Sequence, residues 1–415
     1  MRVFSVTKSA PELIGPSDET PAGNLPLSFM DRLPPMRFIV ESIHVYRHGE
    51  EPAQLIRGAL AKALVHYYPM AGRFAVSADG ELEVACTGDG VWFVEAQADF
   101  PLEDVNNLEL PLMIRKEDIL PYVPPEDMKD VVMLMQVTEF KCGGFVVGIR
   151  SDHAMGGGAG VGALMQTVVE MARGLAEPSL KPAWGREAIP NPAKPIVLGP
   201  PPVFALMELE KLAVDVPMDY INRLKNQYMV ECGQRCSTFD VVLAKVWQSR
   251  TQAMDLHPDA DTRVAFAAST VHLMKDVLPE GFYGNCGYPL TVSAPAGKVA
   301  EASLMEVVRM IREAKESLWT VFSKWLEGDP EADPFRAPPD YGLLAVSDWS
   351  KVGFHELDYG WGEPMHVAPL VDDNPFMASG FFLKAPAPKQ GVRVMTSCVT
   401  KDHVASFRER LTKLE

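Results

Sequence analysis

Hydrophobic and polar positions along the chain repeat with two periods, and each period predicts a different kind of element. Residues 54–68 carry apolar side chains three or four positions apart, which predicts a helix that ends before Pro69. The same spacing predicts helices over residues 163–173, 218–230, 237–253 and 304–318. Short runs rich in β-branched and aromatic residues predict strands over residues 82–86, 91–94, 131–140, 144–150, 208–214, 264–269, 343–347, 381–384 and 392–397. Helices and strands in both halves predict an α/β or an α+β fold, and we expect the α/β class.

A proline-rich segment separates the two halves of the chain. Eight prolines lie between residues 177 and 203, and they exclude a regular helix or a central strand there. We therefore expect a semi-rigid crossover at residues 179–205, between an N-terminal domain at residues 1–178 and a C-terminal domain at residues 206–415. A length of 415 residues also exceeds what one hydrophobic core usually supports. Ligand sites are expected between the two halves.

Composition narrows the class of protein. The 55 acidic and 39 basic residues give a net charge of −16, which argues against nucleic acid or an anionic membrane as the main partner. No apolar run is long enough to cross a bilayer, the first residues lack a secretory signal, and six cysteines are too few for a disulfide scaffold. The nine histidines are scattered without metal-site spacing, so no metal is expected. These features predict a soluble, reduced, cytoplasmic protein.

His153 is the candidate catalytic residue. It follows the strand predicted at residues 144–150 and precedes a glycine-rich turn at residues 155–160, where another molecule can approach closely. An unperturbed histidine has a pKa of about 6.5, so its neutral imidazole can accept a proton near neutral pH. The position therefore predicts a general base; the alternative is a packed or surface histidine.

Six segments, taken in order, resemble the plant BAHD family of coenzyme-A-dependent acyltransferases. They are Leu-Ser-Phe-Met-Asp-Arg at residues 27–32, Tyr-Tyr-Pro-Met-Ala-Gly-Arg at 67–73, Phe-Lys-Cys-Gly-Gly-Phe at 140–145 before His153, Ser-Thr-Phe-Asp at 237–240 followed by Trp247 and Arg250, Phe-Tyr-Gly-Asn at 282–285, and Asp-Tyr-Gly-Trp-Gly at 358–362. The resemblance covers essentially the whole chain. It implies two chloramphenicol-acetyltransferase-like domains, the first carrying His153 and the second the motif at residues 358–362. It also implies a long crossover and a tunnel at the domain interface.

The resemblance further implies a reaction and a set of site residues. Acyl-CoA is expected as co-substrate, with no permanently bound cofactor. His153 would take the proton from the acceptor while the acceptor attacks the thioester. The indole N–H of Trp361 would stabilise the oxyanion, the alternative being an aromatic residue on a structural loop. Candidate coenzyme contacts are Arg235, Ser237, Thr238, Ser347 and Trp349. Helix capping by Ser237 and simple surface exposure of Arg235 are the alternatives. Residues expected to maintain the conserved turns are Tyr283, Asn285, Asp358, Gly360 and Gly362.

Three further segments, at residues 111–114, 182–190 and 346–350, resemble the grass branch of that family. This branch implies transfer of a p-coumaroyl or feruloyl group from CoA to the hydroxyl of a phenylpropanoid alcohol such as a monolignol, by a monomeric enzyme. One alternative is acylation of an aromatic amine such as tryptamine with benzoyl-CoA. A second is a catalytically silent protein that binds CoA esters or phenolics.

Two positions depart from the family pattern. Gly157 stands where the His-x-x-x-Asp motif has aspartate, and Val271 stands where the family has the arginine that pairs with it. Asp152 precedes His153 on a strand, so its side chain is expected on the opposite face. Loss of one member of a buried ion pair costs about 3–5 kcal/mol, whereas loss of both can be nearly neutral. We therefore expect a compensated change that leaves His153 active.

Overall fold

The structure is a computed structural model and describes residues 4–123, 130–193, 206–335, 340–370 and 376–414. The chain forms two compact units of mixed α/β structure. The first comprises Met1–Ile189, Lys275–Asn285 and Lys351–Val371, and the second comprises Pro190–Met274, Cys286–Ser350 and Asp372–Glu415. Residues 194–205 of the expected crossover lie outside the described residues. The α/β class and the presence of two domains are confirmed.

Both units contain strands and helices. In chain order the strands are β1 (Val6–Lys8), β2 (Glu12–Ile14), β3 (Asn24–Pro26), β4 (Ile39–Tyr46), β5 (Arg73–Val76), β6 (Leu82–Ala85), β7 (Val91–Ala98), β8 (Met133–Phe140), β9 (Phe145–Asp152), β10 (Glu210–Pro217), β11 (Asp261–Ser269), β12 (Gly287–Pro295), β13 (Leu343–Asp348), β14 (His366–Pro369), β15 (Ala378–Lys384) and β16 (Gly391–Val399). The α-helices are α1 (Phe29–Arg32), α2 (Pro52–His66), α3 (Lys116–Ile119), α4 (Gly157–Ala172), α5 (Met218–Cys232), α6 (Thr238–Ala253), α7 (Ala296–Glu301), α8 (Leu304–Glu316), α9 (Leu318–Leu326) and α10 (Lys401–Thr412). Within the described ranges, none of these helices combines the length and apolar composition needed to cross a membrane.

The main sheet of the first unit has the strand order β1-β7-β8-β9-β4-β14, with β2 also paired to β7. Strands β8 and β9 are buried along nearly their whole length, as central strands of a covered sheet should be. Helices α2 and α4 pack against each other, and α4 buries Val161, Leu164, Met165 and Val168. The core of this unit therefore lies between its sheet and this helix pair.

Strand β14 corrects the expected domain boundary. The sequence assigns residues 358–362 to the C-terminal domain, but the segment Lys351–Val371 folds into the first unit. The reason is that β14 pairs antiparallel with β4, with His366 opposite Val45 and Pro369 opposite Ser42. Part of the expected crossover also belongs to the first unit, where Ala183 forms a bridge with Phe282 and Trp184 donates a hydrogen bond to Pro26.

The second unit is built on a sheet with the order β10-β16-β15-β13-β11-β12. Helix α6 packs against α5, α8 and α10. Trp247 and Arg250, both within the family resemblance, are fully buried there. The Arg250 guanidinium donates to the carbonyl of Cys398 at 2.8 Å and lies over the ring of Tyr341. These two motif residues therefore tie α6 to the core of the second unit.

Candidate active site

His153 lies on a tight turn between strand β9 and helix α4. A 3-10 helix spans His153–Met155 and is followed by Gly156. The backbone N–H of His153 donates to the carbonyl of Phe38 at 2.9 Å, just before β4. The carboxylate of Asp152 accepts the N–H of Ala154 at 2.9 Å and pairs with Arg37 at 3.4 Å. Asp152 therefore caps the turn, as expected for a side chain that does not serve the imidazole.

The imidazole of His153 lies in an apolar setting. It stacks on the ring of Phe38, with centroids 4.8 Å apart and an interplanar angle of 23°, and Phe38 itself is 48% exposed. Nδ1 is enclosed and has no hydrogen-bond partner among the described residues, which leaves Nε2 for proton exchange. Burial lowers the pKa of His153, and the carboxylate of Asp31 partly opposes this effect. The ring is therefore neutral at pH 7, as a proton acceptor requires.

Gly157 adjoins the imidazole directly. Its φ is +55°, in the left-handed region that favours glycine. A Cβ atom at this position would lie 2.8 Å from Nε2 of His153 and 3.1 Å from Oδ1 of Asn285. The ring thus occupies space that any side chain at residue 157 would need. The imidazole of His153 can take its present orientation because residue 157 is glycine.

A buried ion pair lies behind the turn. The side chains of Asp31, at the start of the chain, and Arg186, in the expected crossover, are both fully buried and meet with Nε and Oδ2 3.0 Å apart. The guanidinium also donates to the carbonyl of Met155 at 2.8 Å and stacks on the ring of Trp184. Asn285 donates from Nδ2 to Asp31 at 2.8 Å and to the carbonyl of His153 at 2.9 Å.

The sequence did not identify Asp31 and Arg186 as site residues. Both belong to segments that carry the family resemblance, at residues 27–32 and 182–190. The available signal was a charged residue among apolar motif neighbours, which has to be paired if it is buried. Asn285, which the sequence predicts to maintain a turn, donates a hydrogen bond to the backbone carbonyl of His153.

Tyr283 lies beside the glycine-rich start of α4. Its ring packs against Tyr67, with centroids 5.0 Å apart, and burial raises the pKa of its hydroxyl. Its backbone oxygen lies where Cβ atoms on Gly156 and Gly160 would have to be. The glycines therefore allow a close approach of two backbone segments.

Trp361 lies far from His153. Its indole packs edge-on against Phe145, with centroids 5.7 Å apart, at the opposite end of β9 from His153. Eight extended residues correspond to about 25 Å. Asp358 in the same loop pairs with Arg173, just beyond the distant end of α4. The structure contradicts the expectation that Trp361 serves the oxyanion.

The loop around Trp361 is organised by Asp358. This carboxylate accepts the backbone N–H groups of Gly360 and Gly362 at 2.8 and 2.7 Å. Although burial acts to raise it, these bonds hold the pKa of Asp358 below its ordinary value. Both glycines have φ near +100°, which side chains rarely adopt, so the motif maintains a loop shape.

The expected coenzyme contacts lie in the second unit. Ser237 caps α6, accepting the N–H of Asp240 at 3.1 Å, so the capping alternative is correct at least in part. The carbonyl of exposed Arg235 accepts a bond from Arg312. Phe239 in α6 packs against Phe382, and Phe382 pairs with Asp348 at the end of β13. The start of α6, with Thr238, therefore lies near the end of β13, where Ser347 and Trp349 are found. Within the described residues no cluster of His, Cys, Asp or Glu side chains suits a metal ion.

Val271 lies in the second unit, in the 3-10 helix Val271–Leu273, and is 43% exposed. Gly157 is buried in the first unit. The crowding at Gly157 and the ion pair between Asp31 and Arg186 account for the turn without reference to residue 271.

Known proteins resemble the chain over nearly its full length. The family model described as "Transferase family" matches residues 4–414. Acyl transferase 9 of Oryza sativa subsp. japonica is 46% identical over 97% of this chain and 96% of that protein. A myricetin 3-O-glucosyl 1,2-rhamnoside 6'-O-caffeoyltransferase, AT2 of Crocosmia x crocosmiiflora, is 44% identical over 98% of this chain and 99% of that protein. Crystal structures of vinorine synthase and of F. sporotrichioides TRI101 share the fold, each with a TM-score of 0.73. Vinorine synthase is 19% identical, and the match covers 99% of this chain and 98% of that chain. TRI101 is 16% identical, and the match covers 94% of this chain and 97% of that chain.

Proposed function

We propose that this chain acylates a plant phenolic compound with His153 as general base. The chain belongs to the Transferase family and is an acyl-CoA-dependent acyltransferase of the plant BAHD type. The observation that carries the proposal is the half-buried imidazole, which stacks on Phe38 and lies on a turn fixed from both sides. A general base must be unprotonated at the working pH and rigidly placed. The lowered pKa of His153 and the hydrogen bonds at its turn support the assignment on both counts.

The reaction would proceed by direct transfer. Nε2 of His153 takes the proton from the acceptor hydroxyl as the oxygen forms a bond to the thioester carbonyl carbon. The tetrahedral intermediate then collapses, the carbon–sulfur bond breaks, and the thiolate of CoA takes the proton from the imidazolium. The products are an ester and CoA, and the imidazole is neutral again.

We propose a hydroxycinnamoyl-CoA as donor, p-coumaroyl- or feruloyl-CoA, and a phenylpropanoid alcohol such as a monolignol as acceptor. The name of the Crocosmia relative supports a hydroxycinnamoyl group, because caffeoyl belongs to that class. Its named acceptor is a flavonol glycoside, which therefore belongs in any substrate panel. Benzoyl-CoA with an aromatic amine such as tryptamine is the competing pair.

The test is CoA release and product mass with these donors and paired alcohol and amine acceptors. We expect His153→Ala to lower kcat by about 100-fold or more, the range typical for loss of a general base. His257→Ala is the matched control, because His257 is exposed in the second unit and should leave turnover unchanged. A purified protein that binds CoA esters yet turns over none of the panel would support the silent alternative.

A further inference from the structure

We propose that Asp31, Arg186 and Asn285 are positioning residues that hold the His153 turn in the orientation required for proton transfer. The inference rests on the proposed role of His153 as general base. The three residues are distant in sequence and meet behind the turn. We call this group of three side chains the anchoring network.

Asp31 is the centre of the anchoring network. Its carboxylate is fully buried and accepts bonds from Ser28 Oγ at 2.7 Å, Arg186 Nε at 3.0 Å and Asn285 Nδ2 at 2.8 Å. Burying two charges is costly, and apolar side chains of similar volume often give equal stability. Global stability alone therefore explains this arrangement poorly, whereas a need to fix local geometry explains it well.

The network binds each carbonyl of the catalytic turn. Asn285 Nδ2 donates to His153 at 2.9 Å and to Ala154 at 3.4 Å, and Arg186 donates to Met155 at 2.8 Å. Three consecutive backbone groups are thus attached to side chains that share one carboxylate. Because the backbone sets the direction of the Cα–Cβ bond, this attachment limits where the imidazole can point.

Asp31 also acts on the ring through its charge. Its carboxylate raises the pKa of His153 against the larger lowering effect of burial. The other charged groups at the turn are Arg186 in the network, and Asp152 with Arg37, which pair with each other. Removing the charge of Asp31 should therefore weaken proton binding by His153.

The first test compares Asn285→Ala with Gln248→Ala. Gln248 in α6 is half-buried and donates from its amide to the carbonyls of Val299 and Ala302 at 3.1 and 2.8 Å, so its loss removes bonds of the same kind far from the turn in sequence. We expect Asn285→Ala to lower kcat by about 100-fold, with little change in KM for acyl-CoA, because a misplaced catalytic group can cost that much. Gln248→Ala should lose comparable thermal stability and keep its kcat.

The second test is the pH profile of Asp31→Asn. Loss of the negative charge should move the acidic limb of kcat/KM to lower pH than in the unchanged enzyme, an effect that a purely structural role would not produce. If Asp31→Asn does not fold, the comparison of Asn285 with Gln248 decides alone. Asn285→Ala with kcat equal to that of its control would overturn this inference while leaving the base role of His153 intact. If the protein without any substitution releases no CoA from the substrate panel, the proposed function itself would be overturned.

Discussion

The imidazole of His153 is bounded by the ring of Phe38 on one face and by the backbone of Gly157 at one edge. A local sequence pattern identified the histidine, because a strand end before a glycine-rich turn is a recognisable setting. It did not identify what surrounds the ring. Asp31 lies 254 positions from Asn285, and no local periodicity reports a contact over that separation.

The pH profile tests the surroundings of the ring. The base must be unprotonated, and burial lowers the pKa of His153, so activity should persist below pH 6.5 and fall only at lower pH. Phe38→Ala opens one ring face to water and should move this acidic limb upward, toward the ordinary histidine value. Phe38→Leu retains apolar cover and should move it less. The measurement is kcat/KM against pH; a wild-type limb above pH 6.5 would contradict the burial argument.

Gly157→Ala tests the crowding at the ring edge. The new methyl group would lie 2.8 Å from Nε2, so the imidazole should be displaced and kcat should fall at least about 10-fold. Gly143→Ala is the control, because Gly143 has φ +82° but nothing within 4 Å of an added Cβ. Both variants carry the left-handed strain of about 1–2 kcal/mol. Equal kcat in the two variants would show that Nε2 does not depend on the bare backbone at residue 157.

Helix α4 shows what local pattern can and cannot predict about an element. Apolar spacing predicted a helix over residues 163–173, but the helix begins at Gly157. Glycine is a poor helix former, so propensity places the start too late. The glycines are present because other backbone segments approach them: the oxygen of Tyr283 at Gly160 and that of Val352 at Gly162. Close approach between distant segments overrides propensity.

A pair of substitutions in α4 separates propensity from close approach. Gly158→Ala places a methyl group no nearer than 3.6 Å to Val352, so the gain in helix propensity should stabilise the protein by up to about 1 kcal/mol. Gly160→Ala places one 2.5 Å from the oxygen of Tyr283, and the overpacking should cost roughly 1–3 kcal/mol. Denaturant unfolding of both variants measures the difference. Similar stabilities would mean that the segment at residues 282–285 moves freely away from α4.

For the molecule as a whole, composition and the proline-rich segment predicted two domains, and residue order predicted which segment belongs to each. The second prediction was incorrect for residues 358–362, because β14 pairs with β4 in the first unit. Residues 282–285 likewise lie in the first unit. Sequence gives the order of elements, whereas strand pairing across some 320 residues depends on edges that only the folded sheet presents.

The discontinuous first unit predicts the behaviour of fragments. A fragment of residues 1–189 lacks both β14 and Asn285, so it would expose the edge of β4 and lose part of the anchoring network. We expect it to be insoluble or molten when expressed alone, because an exposed edge strand promotes aggregation. Co-expression with residues 190–415 should restore solubility. A fragment 1–189 that is monomeric and unfolds cooperatively would contradict this view.

The pairing of β14 with β4 also determines when the first unit can finish folding during translation. A ribosome adds roughly 5–20 residues per second, and domains usually fold as they emerge. Here the first unit, which carries His153, lacks a strand of its main sheet until His366–Pro369 has left the exit tunnel of the ribosome, and most of the second unit precedes that strand in the chain. For many seconds the edge of β4 that β14 will cover is unpaired in the nascent polypeptide. Chaperones that bind unpaired strand edges should therefore influence the yield of the protein more than codon choice near the start does.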